Sequence, residues 1–241
     1  MLYDKDIREP LFSFLEESYG KTRMIEEKIM GISRADIVMV TEDAFYGIEI
    51  KSDADTYSRL SRQVLDYDYY FDYNYIAVGT RHAAHVAEHV PAYWGIITIE
   101  DLPEGPDFYI FRRPQPNPHM DVRLKLSLLW RPELAALQAL NELPAYAWKP
   151  KKFVIGKLAE KVPYEILRLQ MSTLLFERDY AQLEAEIQRV RTERRQKSSG
   201  TGKKSGSSTS GSAKKSSGRR RRKEPSLLVS RVVRKRKGGR K

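Results

Sequence analysis

The sequence predicts a mixed α/β sheet flanked by helices, followed by a helical C-terminal region and a disordered basic tail. Three observations carry this. Short apolar runs rich in β-branched residues recur between residues 23 and 112, each bounded by a polar or Gly/Pro break, as buried strands are. Amphipathic stretches with apolar residues at spacings of three and four alternate with those runs. Charge also divides along the chain. Residues 1–190 hold 23 Lys and Arg against 30 Asp and Glu, whereas residues 191–241 hold 20 against 2.

In chain order, Asp4 to Leu15 reads as a helix with the stripe Ile7, Leu11, Phe14 and Leu15. Asp4 or Asp6 can cap it, and Pro10 requires that the helix begin just before it. Arg23 to Met30 reads as a strand carrying Glu26 and Glu27, of which alternation turns one inward, with Glu27 the candidate and an exposed strand glutamate the alternative. Arg34–Val40 and Phe45–Lys51 are the next two strands, joined by Thr41-Glu42-Asp43-Ala44. Ser52-Asp53-Ala54-Asp55 reads as a helix start with a capping carboxylate, and Thr56 to Phe71 as its helix, with Leu60, Val64, Tyr67 and Phe71 facing the sheet. Asn74–Gly79 and Gly95–Ile99 are buried strands around a short helix from Arg81 to His89. Phe108–Arg112 extends the sheet or forms its edge.

The alternating Pro114, Pro116 and Pro118 mark a boundary, giving units at 1–115, 119–196 and 197–241. The middle unit reads as helices over Val122–Trp130, Pro132–Leu143 and Phe153–Lys161, then a long one from Pro163 to about Gln196. Phe176, Tyr180, Leu183, Ile187 and Val190 form a seam of only two heptads. That favours packing on the chain's own helices, with a homodimer as the alternative.

The chemistry concentrates in the central hairpin. If Glu42-Asp43 is a two-residue loop, Thr41 faces Ala44, and counting outward sets Asp36 opposite Glu49. Cross-strand partners share a face, with Cβ atoms roughly 5 Å apart. Lys51 lies two residues beyond Glu49, on the same face. Two carboxylates and one ammonium on an otherwise apolar hairpin are costly without a role. Carboxylates at that separation repel unless a cation lies between them, and hard oxygen ligands select Mg²⁺, with Mn²⁺ able to substitute. The expected chemistry is metal-assisted phosphodiester hydrolysis, with Asp36 and Glu49 as ligands and Lys51 orienting water or stabilising the oxyanion. A structural salt bridge is the competing explanation. His82, His85 and His89 lack an acidic or cysteine partner at metal-ligand spacing and read as surface histidines.

These residues resemble the PD-(D/E)XK nuclease superfamily, over roughly residues 4–100. Asp36 matches the motif aspartate and Glu49-Ile50-Lys51 the E-x-K, while Ala35 replaces the motif proline. The block Arg34-Ala35-Asp36-Ile37 with Glu49-Ile50-Lys51-Ser52-Asp53-Ala54-Asp55 is similar to a small bacterial and phage branch. That branch lies near MmcB-like DNA-repair proteins and, more distantly, Holliday-junction resolvases. The resemblance implies a restriction-endonuclease-like fold and a Mg²⁺-dependent nuclease acting in DNA repair, recombination or phage DNA processing. It implies Glu9 as the first-helix glutamate assisting the metal, and Gln63 as the polar residue that the helix after E-x-K supplies. Arg34, Arg59, Arg62 and Tyr67 are the expected nucleic-acid contacts around that site.

The basic tail points to nucleic acid, DNA in the first instance. Arg219, Arg220, Arg221, Arg222 and Lys223 are five consecutive cations suited to phosphate neutralisation. The tail carries no aromatic residue for base stacking. With no cysteine, disulfides, thiolate zinc sites and cysteine nucleophiles are excluded. No apolar run approaches roughly 18 residues and the N-terminus is no signal peptide, so the expected setting is cytoplasmic, nucleoid-associated and without a membrane partner. Two alternatives remain: a catalytically inactive nuclease fold serving as a DNA-binding or scaffold module, and an RNA-directed nuclease.

Overall fold

The computed structural model describes residues 3–177 together with Thr192. The elements are α1 (Asp4–Tyr19), β1 (Arg23–Met30), β2 (Ser33–Val40), β3 (Phe45–Lys51), α2 (Leu60–Tyr70), β4 (Tyr73–Gly79), α3 (Thr80–Ala83), β5 (Gly95–Leu102) and β6 (Gly105–Arg112). They are followed by α4 (Val122–Ser127), α5 (Arg131–Leu140), α6 (Lys151–Lys161) and α7 (Tyr164–Glu177). The expected seam beyond Phe176 and the whole basic tail lie outside the described residues.

The strands form one mixed sheet of six, in sequence order from β1 to β6. β1, β2 and β3 pair antiparallel, as tight connections require. β3, β4 and β5 pair parallel, and α2 supplies the crossover that a parallel β3–β4 pair needs. β6 closes the series antiparallel to β5, so it both extends the sheet and forms its edge. The pleat divides the core in two. Ile37, Met39, Ile48 and Ile50 face α1 through Ile7, Leu11 and Leu15. Val38, Val40, Phe45, Ile76 and Val78 face α2 and the C-terminal helices.

Three expectations are corrected. α1 begins at Asp4 and contains Pro10 in its interior, which costs one backbone hydrogen bond; its buried face is Ile7, Leu11, Phe12 and Leu15, with Phe14 half-buried at its margin. The segment from Arg81 to His89 breaks into α3 and a 3₁₀ turn at Val86–Glu88, so His85 and His89 do not share a helix. Nor is the Pro114–Pro118 stretch a boundary between cores. Its backbone is pinned to the sheet side, with Gln115 N–H donating to Tyr93 O and Asn117 N–H to Asp72 O. Asn117 Nδ2 also reaches the Asp68 and Phe71 carbonyls, each at 2.7 Å. Residues of α4–α7, such as Leu126, Leu134, Val154 and Leu167, share one core with Val40 and Phe45.

A buried ionic post joins the helices to the sheet. Asp72, just before β4, accepts the Phe45 N–H at 2.7 Å and also takes Lys125 Nζ and the Tyr164 hydroxyl. Lys125 is 0 % exposed, lies 4.3 Å from the Phe45 ring centroid, and has its pKa lowered first by desolvation. Removing one partner of such a pair strands the other charge. Asp72→Asn is therefore expected to cost about 3 kcal/mol, read as a lower urea midpoint. Asp72→Asn with Lys125→Met should recover more than half of that loss.

Candidate functional site

The β2–β3 hairpin has the register the sequence predicts. The ladder runs from Val40↔Phe45 to Ile37↔Ile48, and Thr41 N–H donates to Ala44 O across the turn. One step beyond the last pair, the count sets Asp36 across from Glu49, and the pleat turns both with Lys51 to the face covered by α2. There the two strands part. The Asp36 carboxylate, rather than a ladder carbonyl, accepts the Ile50 N–H at 2.9 Å. On the other side of β2, the β1 ladder passes from Glu26↔Ile37 to Lys28↔Ala35 without a Glu27↔Asp36 pair. Glu27 takes a left-handed φ of 49°, a strained conformation for a glutamate. Asp36 is thus released from regular pairing on both sides.

Side chains take the backbone groups this frees. Asp36 N–H donates to the Tyr67 hydroxyl at 3.0 Å, and that hydroxyl donates to Ile48 O at 3.2 Å. Arg8 Nη1 donates to Asp36 O at 3.2 Å. Glu49 is fully buried, and its Oε1 receives both Lys51 Nζ and Gln63 Nε2. Its Oε2 and Gln63 Oε1 are buried and make no hydrogen bond, although the Tyr67 hydroxyl lies near enough to the Glu49 carboxylate for the two to interact. Desolvation, and then the Glu49 charge, push the Asp36 carboxyl up to about 7. Desolvation also pushes the Tyr67 phenol well above its ordinary range, keeping it a donor at every working pH.

The surroundings remain acidic. Arg8 pairs with Asp4 at 2.7 Å and approaches Glu26 at 3.5 Å, with Glu27 and Asp36 each at 3.9 Å. Arg34 pairs with Glu27 at 2.7 Å. Five carboxylates, Asp4, Glu26, Glu27, Asp36 and Glu49, thus surround three cations, Arg8, Arg34 and Lys51. Beside Lys51 a surface cleft of about 480 Å³ opens between the start of α1 and the loop after β3, lined by Tyr3, Asp4, Lys5, Ser52, Ala54 and Asp55. Asp55 accepts both the N–H and the hydroxyl of Ser52, while Asp53 accepts the Arg81 N–H. These carboxylates hold the loop and the start of α3, whereas α2 begins after a 3₁₀ turn with no side-chain cap.

Asp36, Glu49, Lys51 and Gln63 are therefore brought together. Two other expectations change. Tyr67 is 0 % exposed and reaches no solvent, so it is not a nucleic-acid contact; the stripe that carries it packs inward. Glu9 is exposed on α1, and its neighbour Arg8 reaches the Asp36 carbonyl. Arg34, Arg59 and Arg62 are exposed, and residues 219–223 lie outside the described residues. Arg8 lies outside the apolar stripe and beside the expected glutamate position, so neither pattern singles it out. The signal that could have found it is the Asp4–Arg8 spacing of four beside the apolar stripe.

The fold and this cluster define a mixed α/β protein with a buried acidic site at a split hairpin. The chain belongs to the family described as bacteriophage P4 protein cII, whose model matches residues 2–199. No curated protein matches the chain, and no solved structure does. No described helix is long and apolar enough to cross a membrane.

Proposed function

We propose that this protein is a Mg²⁺-dependent nuclease that hydrolyses phosphodiester bonds in DNA, with Asp36, Glu49, Lys51 and Gln63 as its working residues. The observation that carries this reading is the pair of donorless buried oxygens, Glu49 Oε2 and Gln63 Oε1, beside an Asp36 carboxyl that its surroundings resist ionising. An all-oxygen set of this kind fits a hard divalent cation, Mg²⁺ or Mn²⁺, held by Asp36 and Glu49. Such a cation would supply positive charge against the scissile phosphate and acidify the attacking water.

The chain's own groups do the remainder. Lys51, buried with its ammonium on Glu49, orients the attacking water and offsets charge on the phosphoryl oxygens. Gln63 fixes the Glu49 carboxylate from α2. Arg59 and Arg62, exposed one turn and one residue from Gln63, would contact the phosphate backbone. Arg8 holds the Asp36 backbone.

A second reading, a nuclease fold that binds DNA without cutting, has one observation in its favour. Among the described residues no group of three or more acidic or histidine side chains is gathered closely enough to hold a metal ion. The test is cleavage of plasmid, branched DNA and RNA by the full chain in Mg²⁺ and in EDTA, with Lys51→Ala alongside. Mg²⁺-dependent cutting of DNA, lost in Lys51→Ala, is the expected result. DNA binding without cutting would favour the second reading, and cutting of RNA alone would redirect the substrate.

The tail gives a separate expectation. With 20 Lys and Arg against 2 acidic residues, residues 191–241 would tether nucleic acid near an acidic body. Truncation after Gln196 should weaken DNA binding at 50 mM salt by about tenfold or more and flatten the slope of log affinity against log salt. An unchanged slope would show that the tail does not contact phosphates.

A further inference from the structure

We propose that Tyr67 is a positioning residue of the site: its hydroxyl holds the Asp36 backbone so that the Asp36 carboxylate turns toward Glu49. This goes beyond the nuclease reading by assigning a residue to it, and it rests on that reading only for its consequence on metal binding.

Three observations converge on it. First, the hydroxyl stands where two ladders fail, accepting from Asp36 N–H and donating to Ile48 O, and so links β2 to β3 next to the last regular pair. A free Asp36 would otherwise bury an unpaired N–H or rotate back into a β ladder. Second, β3 lacks a side chain where the Phe71 and Tyr67 rings press on it. Gly47 sits mid-strand, where glycine weakens a strand and marks the close approach of another group. A Cβ at that position would fall 2.6 Å from Tyr67 Cδ1 and collide with the Phe71 ring. Third, the ring is fixed on its other sides, with the Trp94 centroid at 5.6 Å and the Phe71 centroid at 5.5 Å, so the hydroxyl has little freedom to move. Gly47 leaves room for the Phe71 and Tyr67 rings together, and from that place the Tyr67 hydroxyl takes over a backbone bond between β2 and β3.

The proposal has a reporter that needs no metal. Ile50 N–H donates to Asp36 Oδ2, not to Tyr67, and keeps that bond only while the Asp36 carboxylate stays turned toward β3. Tyr67→Phe retains the ring and removes the hydroxyl. Amide hydrogen exchange is measured on the full chain without metal, with Val64→Ala as a control that loosens α2 packing elsewhere. In Tyr67→Phe the Ile50 amide is expected to exchange at least tenfold faster relative to Ile37, and Mn²⁺ affinity by calorimetry to fall at least tenfold. Val64→Ala should change neither ratio. Wild-type protection at Ile50 in a folded Tyr67→Phe protein would overturn the proposal, whatever the metal does. If the wild-type chain takes up no Mn²⁺, the nuclease reading fails, while Ile50 still decides the role of Tyr67. If Tyr67→Phe does not fold, 3,5-difluorotyrosine at position 67 keeps the shape but weakens the oxygen as an acceptor. Ile50 exchange must then rise at least twofold, and an unchanged rate would overturn the proposal.

Discussion

Glu49→Gln is expected to lower Mg²⁺-dependent DNA cleavage by about 10³-fold, a loss on the scale of removing a charge-stabilising group from a preorganised site. The substitution keeps the side chain's volume, and its amide oxygen can still accept Lys51 Nζ and Gln63 Nε2, both of which now converge on Oε1. What it removes is the charge at Oε2, the buried oxygen with no donor. Glu49→Ala would confuse the result, because it would strand the Lys51 ammonium, whose side chain is only 6 % exposed. Single-turnover cleavage separates the outcomes. A folded Glu49→Gln protein that cuts at the wild-type rate would remove Glu49 from the chemistry.

Asp36→Asn is expected to abolish cleavage to a similar degree while making the metal-free protein more stable at alkaline pH. The direction follows from the Asp36 carboxyl, raised to about 7 by desolvation and then by the Glu49 charge. A carboxyl whose folded pKa lies above its unfolded value adds stability at low pH, and that contribution is lost as pH rises through about 7. Wild-type protein without metal should therefore lose stability between pH 5.5 and pH 8, and Asp36→Asn should lose less. At pH 8 the variant should melt about 2–4 °C higher, corresponding to about 1 kcal/mol. Its amide oxygen can still accept the Ile50 N–H, so the gain isolates the charge. Adding Mg²⁺ should stabilise the wild type at pH 8 and leave Asp36→Asn unchanged. A variant that melts lower than wild type at pH 8 would mean that the Asp36 charge is already compensated by Arg8 and Lys51.

Much of this arrangement was legible in the chain. β1, β2 and β3 fall where their apolar runs predicted, and the two-residue turn fixed the register that brings Asp36 to Glu49. A period of two carries that information directly, because a slip by one residue would turn every side chain to the other face. Gln63 was placed by resemblance to a known family, and the α2 spacing brings it to Glu49. What the chain did not disclose are the departures from regularity. The left-handed backbone at Glu27 has no local signal, and the parting of β2 from β3 is accompanied by side chains from α1 and α2, distant in sequence. Tyr67 shows the difficulty. Its place in the stripe Leu60, Val64, Tyr67 and Phe71 assigned it to the core, whereas its four-residue spacing from Gln63 and Arg59 along the helix edge suggested a nucleic-acid contact. The position decided burial, and the hydroxyl found buried backbone partners. The Pro114–Pro118 stretch misled for a related reason: proline marks a stiff segment, but not whether that segment leaves the core or is bonded along it.

The measurement that bears most directly on the account is calorimetric titration of Mn²⁺ into the full chain at pH 7.5, with Glu49→Gln and Asp36→Asn beside it. The account predicts saturable binding to the wild type that each substitution weakens at least tenfold. Absence of binding to the wild type, or affinity that survives both substitutions, would contradict it.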